Sequence, residues 1–411
     1  MTERLYYDDS HLLEFDARVV AAEPGEGGLT AVRLDRTAFY PTGGGQPTDT
    51  GSLGRARVVE CVDLEDDGVL HLVEGQPPAV GSEVRGVVDW PRRLDHIQQH
   101  TGQHILSQAF IELFGAQTRS FRMMAEACEV DLDLAEPSDE KIERAVARAN
   151  EVVWADREVK VHRVAPQEAA RLPLRKDSGR AGPLRVVEIE GFDFSPCGGT
   201  HARRTGEVGL VAARQWERAR GLVRVTFVAG GRALEDYRRA NRAARRVATL
   251  FSVVRDEAPA AVERLQNENK SLLRRMRALE EQAARAEARE LIEGTTRAGG
   301  ADGTQTGAAD GLRVVARVFE GRDAEGLKSL AFAVAAHERC VALLGSRDGE
   351  TARVVFARSA DAPGDMNTLV RAACQALDGR GGGRPEMAQG GGHRLDRLDE
   401  VIAEAARQLR A

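Results

Sequence analysis

Cysteine is scarce in this chain. The five residues Cys61, Cys128, Cys197, Cys340 and Cys374 are odd in number and scattered over 411 positions, which argues against a disulfide framework. Long hydrophobic runs are missing too. No apolar stretch approaches the ~20 residues of a membrane helix, and Met1-Thr2-Glu3-Arg4 does not open a signal peptide. A cytoplasmic protein is therefore expected. Neither sign of charge dominates: the formal net charge is -6, so a nucleic-acid partner is not written in the total. Its distribution is uneven. Positions 202–294 hold 20 Lys+Arg against 13 Asp+Glu, a net +7, which leaves the remainder near -13. A basic middle in an acidic chain is compatible with a polyanion tracking one face, and equally with solvated helix faces. With 42% hydrophobic residues, the length suffices for a sizeable core and two or three domains.

Histidine is also infrequent, nine in all, and four cysteine or histidine positions stand in two tight groups. The first is His100-Thr101-Gly102-Gln103-His104, inside a proline-free run, 94–114, whose apolar positions Ile97, Ile105, Leu106, Ala109, Leu113 and Phe114 have helical spacing. Two histidines four apart on a helix share a face and can aim at one point. The second is Cys197-Gly198-Gly199-Thr200-His201, beside Pro196, which reads as a turn. Three neutral imidazoles and one thiolate form a tetrahedral set that zinc favours. A zinc metallopeptidase would carry Glu after the first histidine, where Thr101 stands, and a finger module would keep its ligand pairs close together. His96, one turn before His100, leaves His96/His100 open as the ligand pair on spacing alone.

In chain order, 1–90 reads as a small β-barrel, with β-prone runs at 15–21, 29–34, 57–62, 69–73 and 84–89 separated by Gly, Pro and Asp turns. Within it, Thr37-Ala-Phe-Tyr-Pro-Thr-Gly-Gly-Gly-Gln46 either approaches a ligand with its backbone or is a long hairpin connection. The stretch 91–231 continues with the histidine helix, a strand at 129–134, a helix N-capped by Ser138, and strands at 159–164, 185–189, 209–215 and 221–228. From 232 to 298 the pattern is helical. Val262, Leu265, Asn269, Leu272, Met276, Leu279, Ala283 and Ala286 trace a heptad seam of about three and a half repeats, suited to a helical hairpin or to a homodimer. Residues 299–311 read as a Gly/Thr/Ala-rich linker. Beyond it, 311–411 reads as a small α/β domain containing a glycine-rich loop, 379–393, whose Arg380 and Arg384, with Arg394 beside them, could meet a phosphate backbone. The expected fold class is α+β: barrel, zinc-containing α+β unit, helical segment and α/β C-terminal domain.

These motifs, in this order, resemble the AlaX-type alanyl-tRNA editing proteins, free-standing relatives of the editing half of alanyl-tRNA synthetase. The loop ending in Gln46, the run Gln99-His100-Thr101-Gly102-Gln103-His104, the run Phe192 to His201 followed by Thr205-Gly206-Glu207-Val208-Gly209, and the glycine run 379–392 each look like a family signature, the last that of a DHHA1-type domain. The resemblance implies zinc on His100, His104, Cys197 and His201, with His96 outside the set. It implies Gln46, Ser120 and Gln103 as catalytic or substrate-reading residues, Ser120 standing where the family senses the serine hydroxyl. It further implies hydrolysis of Ser or Gly wrongly attached to tRNA(Ala), without the aminoacylation domain. On the residues alone the alternative is a tRNA-binding module with a structural zinc. A second alternative, a nuclease, rests on the C-terminal domain's similarity to phosphoesterase-associated domains and is disfavoured by the lack of an Asp-rich metal cluster.

Overall fold

The computed structural model describes residues 2–64, 68–169, 171–175, 183–297 and 311–409. They form two compact units, Met1–Leu250 and Phe251–Ala411.

The first unit opens with a closed antiparallel barrel. Its strands run around it as Glu14–Pro24, Thr30–Leu34, Val69–Glu74, Ala56–Asp63, Gly51–Leu53 and Glu83–Val88. Strict alternation makes this possible: Phe15, Ala17 and Val19 point inward while Glu14, Asp16 and Arg18 face solvent, so each strand covers one side of a shared interior. The five β-prone runs read from the sequence are barrel strands. The sixth, Gly51–Leu53, is too short to show a period of its own.

The barrel hands over to the helix Trp90–Phe114, with Pro91 in its first turn and Gly115 ending it at φ 66°, a left-handed cap that glycine adopts without strain. This helix and Asp139–Trp154 cover one face of a four-stranded antiparallel sheet. The sheet order is Val211–Ala219, Leu222–Ala229, Cys128–Leu132, Thr118–Met123. Ile105, Leu106, Phe110, Val130, Leu132, Ile142, Val152, Val225 and Phe227 fill the space between. A three-stranded sheet, Val159–Val164, Leu184–Ile189 and Asp193–Pro196, leads into the Cys197 turn. The helix Gly230–Phe251 completes the unit's secondary structure.

The second unit contains the helix Ala258–Arg297 and a five-stranded sheet in the order Arg313–Glu320, Cys340–Asp348, Thr351–Arg358, Met387–Gly392, Gly379–Arg384. Helices Met366–Ala376 and Leu398–Gln408 pack on one face of the sheet, Ala324–Ala335 on the other. With both faces covered, Cys340–Leu344 is buried at every position, the continuous apolar run expected of such a strand. One sequence expectation is corrected here. The glycine-rich run at 379–392 is not a loop but a paired antiparallel hairpin. Glycine is needed there because a Cβ on Gly381 or Gly390 would lie within 2.6 Å of Cys374 Sγ in the overlying helix. The heptad seam is uncovered within the single chain, Leu265, Leu272, Met276 and Leu279 each being at least 50% exposed, while Ala284, Ala288 and Ile292 of the same helix pack against the sheet and Ala324–Ala335. The expected linker, apart from Gly311, lies outside the described residues.

Candidate metal centre

The histidine helix supplies one half of the site. His100 and His104 lie one turn apart, and Gln103 and Ser107 share their face. The other half is the turn after Asp193–Pro196, held from behind by Arg185, whose Nη1 donates to the Cys197 carbonyl at 2.6 Å. One threonine docks the halves together, and a second ties the turn to Gln46. Thr101 Oγ1 accepts from the Ala202 amide at 3.0 Å, and Thr200 Oγ1 accepts from Gln46 Nε2 at 2.9 Å. Gly199 is required by close approach, because a Cβ there would sit 2.2 Å from His100 Cε1.

The result is one cluster. Ligand atoms of His100, His104, Cys197 and His201 all lie within 4.8 Å of one another. Cys197 Sγ is 3.3 Å from His100 Nε2, and His201 Nε2 is 3.4 Å from His104 Nε2. Each imidazole is turned by an outer partner: His100 Nδ1 faces Gln46 Oε1 at 2.7 Å, His104 Nδ1 faces Asp193 Oδ2 at 3.2 Å, and His201 Nδ1 faces the Gly199 carbonyl at 3.1 Å. Three acceptors on three Nδ1 atoms place the ring protons there and leave every Nε2 lone pair aimed inward, the orienting pattern of metal-ligating histidines. Burial opposes the Cys197 thiolate, yet the neighbouring His100 and His201 rings hold the thiol well below its usual range. Burial likewise pushes His201 down to about 3, keeping it neutral. The donor set fits a metal ion.

The structure brings Gln46 to the cluster. The loop carrying it is no hairpin connection, because the strands it joins, Arg36–Thr37 and Gly51–Leu53, pair with other strands and not with each other. At its tip Gly43 and Gln46 close a tight turn with Gly44 and Gly45 at positive φ, and Gly45 presses so closely on Phe121 that a Cβ would meet its carbonyl at 2.6 Å. Both ends of the Gln46 amide are engaged by His100 and Thr200, so Gln46 orients a ligand. Gln103 is buried on the ligand face and donates to Ser107 Oγ at 2.7 Å. Ser120 is not brought there. It is exposed, donates to Asp131 Oδ2 at 2.6 Å, and stands in a row with Asp131 and Arg224 on the sheet face opposite Phe121 and Val130. His96 is also outside the cluster, its Nδ1 3.9 Å from Asp49 Oδ1.

Sequence reasoning missed Asp193. Its side chain is fully buried and is held by Ser195 Oγ at 2.9 Å and by Arg175, whose Nε lies 3.6 Å from Oδ1. Arg175 Nη1 also donates to the His104 carbonyl at 2.9 Å. The available signal was an acid four residues before Cys197 in an alternating strand. Asp193→Asn should weaken metal affinity about 10–100-fold, read by chelator competition. An unchanged affinity would reduce Asp193 to a packing role.

Comparison with known proteins follows the same lines. Residues 184–226 match the family model described as threonyl and alanyl tRNA synthetase second additional domain, and 311–411 match the DHHA1 domain. The alanyl-tRNA editing protein AlaX-L of Pyrococcus horikoshii is 31% identical over 99% of this chain and 98% of its own length. The alanine–tRNA ligase of Archaeoglobus fulgidus is 32% identical over 98% of this chain and 43% of its own length. The chain thus spans less than half of the ligases it matches. The solved C-Ala domain of Aquifex aeolicus alanyl-tRNA synthetase is 26% identical over 26% of this chain and 96% of its own, with a TM-score of 0.24.

Proposed function

This chain belongs to the alanyl-tRNA editing family, and on that premise we propose that it hydrolyses the ester joining serine or glycine to tRNA(Ala). The observation that carries the proposal is the four-donor cluster, gathered from segments 97 positions apart and completed by Gln46 from the barrel. Zinc is the ion the set suits, three imidazoles and a thiolate at tetrahedral reach. When bound, with a formal charge reduced to about +1 by the thiolate, it would supply Lewis-acid polarisation or orientation of the aminoacyl group.

The protein's own residues do the rest. Asp193, Gln46 and the Gly199 carbonyl hold the ligand protons on Nδ1. The Phe121 ring, 5.5 Å from His100, gives the cluster an apolar neighbour. The turn Gly43–Gln46 lets the backbone approach the substrate closely, where amides can steady the developing oxyanion. For the RNA, the helix Gly230–Phe251 offers exposed Arg238, Arg239, Arg242, Arg245 and Arg246, spaced to follow phosphates along one strand.

A second reading has support from the same cluster. Four protein donors leave no open position, which is the pattern of structural zinc, so the chain could be a tRNA-binding module. Single-turnover deacylation of Ser-, Gly- and Ala-tRNA(Ala) separates the two. Fast loss of serine or glycine with slow loss of alanine supports editing. A protein that holds one zinc and binds the RNA but leaves all three esters intact is the module.

A further inference from the structure

Editing serine while sparing alanine requires a group that reads one added hydroxyl, and the outward-facing Ser120 leaves that role vacant. We propose that Thr118, backed by Ser107 and Gln103, reads the hydroxyl, and that serine rather than glycine is therefore the preferred substrate. The proposal rests on the editing reading above and adds the identity of the amino acid.

The argument begins with a bulge. In the pairing of Thr118–Met123 with Cys128–Leu132, Ser120 stands opposite Asp131 but Thr118 stands opposite Leu132. Arg119 is thus an extra residue. In an unbroken strand Thr118 would share the outward face with Ser120, two residues on. The bulge reverses it, and bulges commonly re-aim a side chain beside an active site. Arg119 is left outside, paired with Asp133. Thr118 turns instead toward the histidine helix, on the side of buried Leu132 and Val130.

There it meets a buried polar chain. Thr118 Oγ1 donates to Ser107 Oγ at 2.7 Å, and Gln103 Nε2 donates to the same oxygen at 2.7 Å. Ser107 is fully buried and Gln103 only 4% exposed. Both lie on the ligand face of the helix, Ser107 one turn beyond His104. This chain is not needed to hold the metal ligands, because all three Nδ1 atoms have other partners: Gln46, Asp193 and the Gly199 carbonyl.

The hydrogen-bond inventory points the same way. Ser107 Oγ already accepts twice, and Thr118 has committed its proton, so the half-buried Thr118 oxygen has lone pairs left to accept from a hydroxyl. A serine side chain supplies that donor. Alanine and glycine do not, and when bound they would cover that acceptor without pairing it. Gln103 and Ser107 are positioning residues, fixing the Thr118 rotamer from behind.

The test compares single-turnover rates on Ser-, Gly- and Ala-tRNA(Ala) for wild type, Thr118→Val, which keeps the shape, and Thr118→Ser, which keeps the hydroxyl, with metal content measured on each. We expect wild type to be fastest on serine. Thr118→Val should lower both the Ser/Gly and Ser/Ala rate ratios about tenfold, and Thr118→Ser should retain them. A ratio that stays put in Thr118→Val, whether the rates hold or fall together, overturns the proposal, as does a ratio lost equally in Thr118→Ser. Wild type favouring glycine also overturns it while leaving the editing reading intact. A metal-loaded wild type inert on all three esters overturns both.

Discussion

Cys197→Ala is expected to empty the candidate metal centre and slow deacylation on the order of a thousandfold, the several kcal/mol that a polarising or orienting metal contributes. Cys197 is the sole anionic donor among the four. Without the thiolate, a divalent ion would keep three neutral imidazoles but lose its one anionic protein donor, which should weaken its hold on the site. The turn would also lose the Gly199 amide's 3.4 Å contact with the sulfur. The Arg185 bond to the residue-197 carbonyl and the Gln46–Thr200 pair are untouched, so the fold should persist. Metal analysis and single-turnover rates on the same preparation provide the check. Loss of metal with loss of hydrolysis is expected. Full activity in metal-free protein would remove the metal from the mechanism, and retained metal with unchanged rate would remove Cys197 from the ligand set.

What the sequence shows and hides follows from the range of each signal. Barrel strands such as Glu14–Pro24 are legible because alternation is local and a single burial rule produces it. The ligand groups are legible because a helix fixes His100 and His104 at spacing four, and because glycines mark the turn around Cys197. Ser120 shows the limit. Its face depends on one bulge residue, Arg119, set by pairing with a strand whose register the sequence does not reveal. The hairpin at 379–392 misleads in the opposite sense. Glycine ordinarily marks loops, but here it permits two strands to lie under a helix at a distance no side chain tolerates. Asp193 carries only a weak signal for a related reason: a lone acid in a strand reads as solvent-facing until His104 is brought over it.

Arg93 is the second large expectation, and its burial also could not be read. In the sequence it is one more cation of Trp90-Pro91-Arg92-Arg93. In the fold it has no exposed surface at all. Its guanidinium grips Asp49 through Nε at 3.1 Å and Nη2 at 2.5 Å, the Ser10 carbonyl through Nη1 at 2.6 Å and the Ala38 carbonyl through Nη2 at 2.6 Å. Asp49 in turn accepts from the Tyr40 amide at 2.7 Å. One side chain on the histidine helix therefore fixes three segments preceding or following the glycine turn that carries Gln46. Ser10, gripped through its carbonyl, accepts from the His201 amide through Oγ at 3.1 Å. Arg93→Met leaves a buried carboxylate and two carbonyls without their donor, and should cost about 3–5 kcal/mol, seen as a lower denaturant midpoint at unchanged slope. Replacing both partners, Arg93→Met with Asp49→Leu, removes the stranded charge and should recover part of that loss. The Tyr40 amide and the two carbonyls would still lack partners, so the recovery should be incomplete. If the single variant is as stable as wild type, the ion pair is not what joins barrel to helix. If the double variant regains stability but not hydrolysis, Arg93 and Asp49 serve chiefly to place Gln46 and the Ser10–His201 contact around the four-donor cluster.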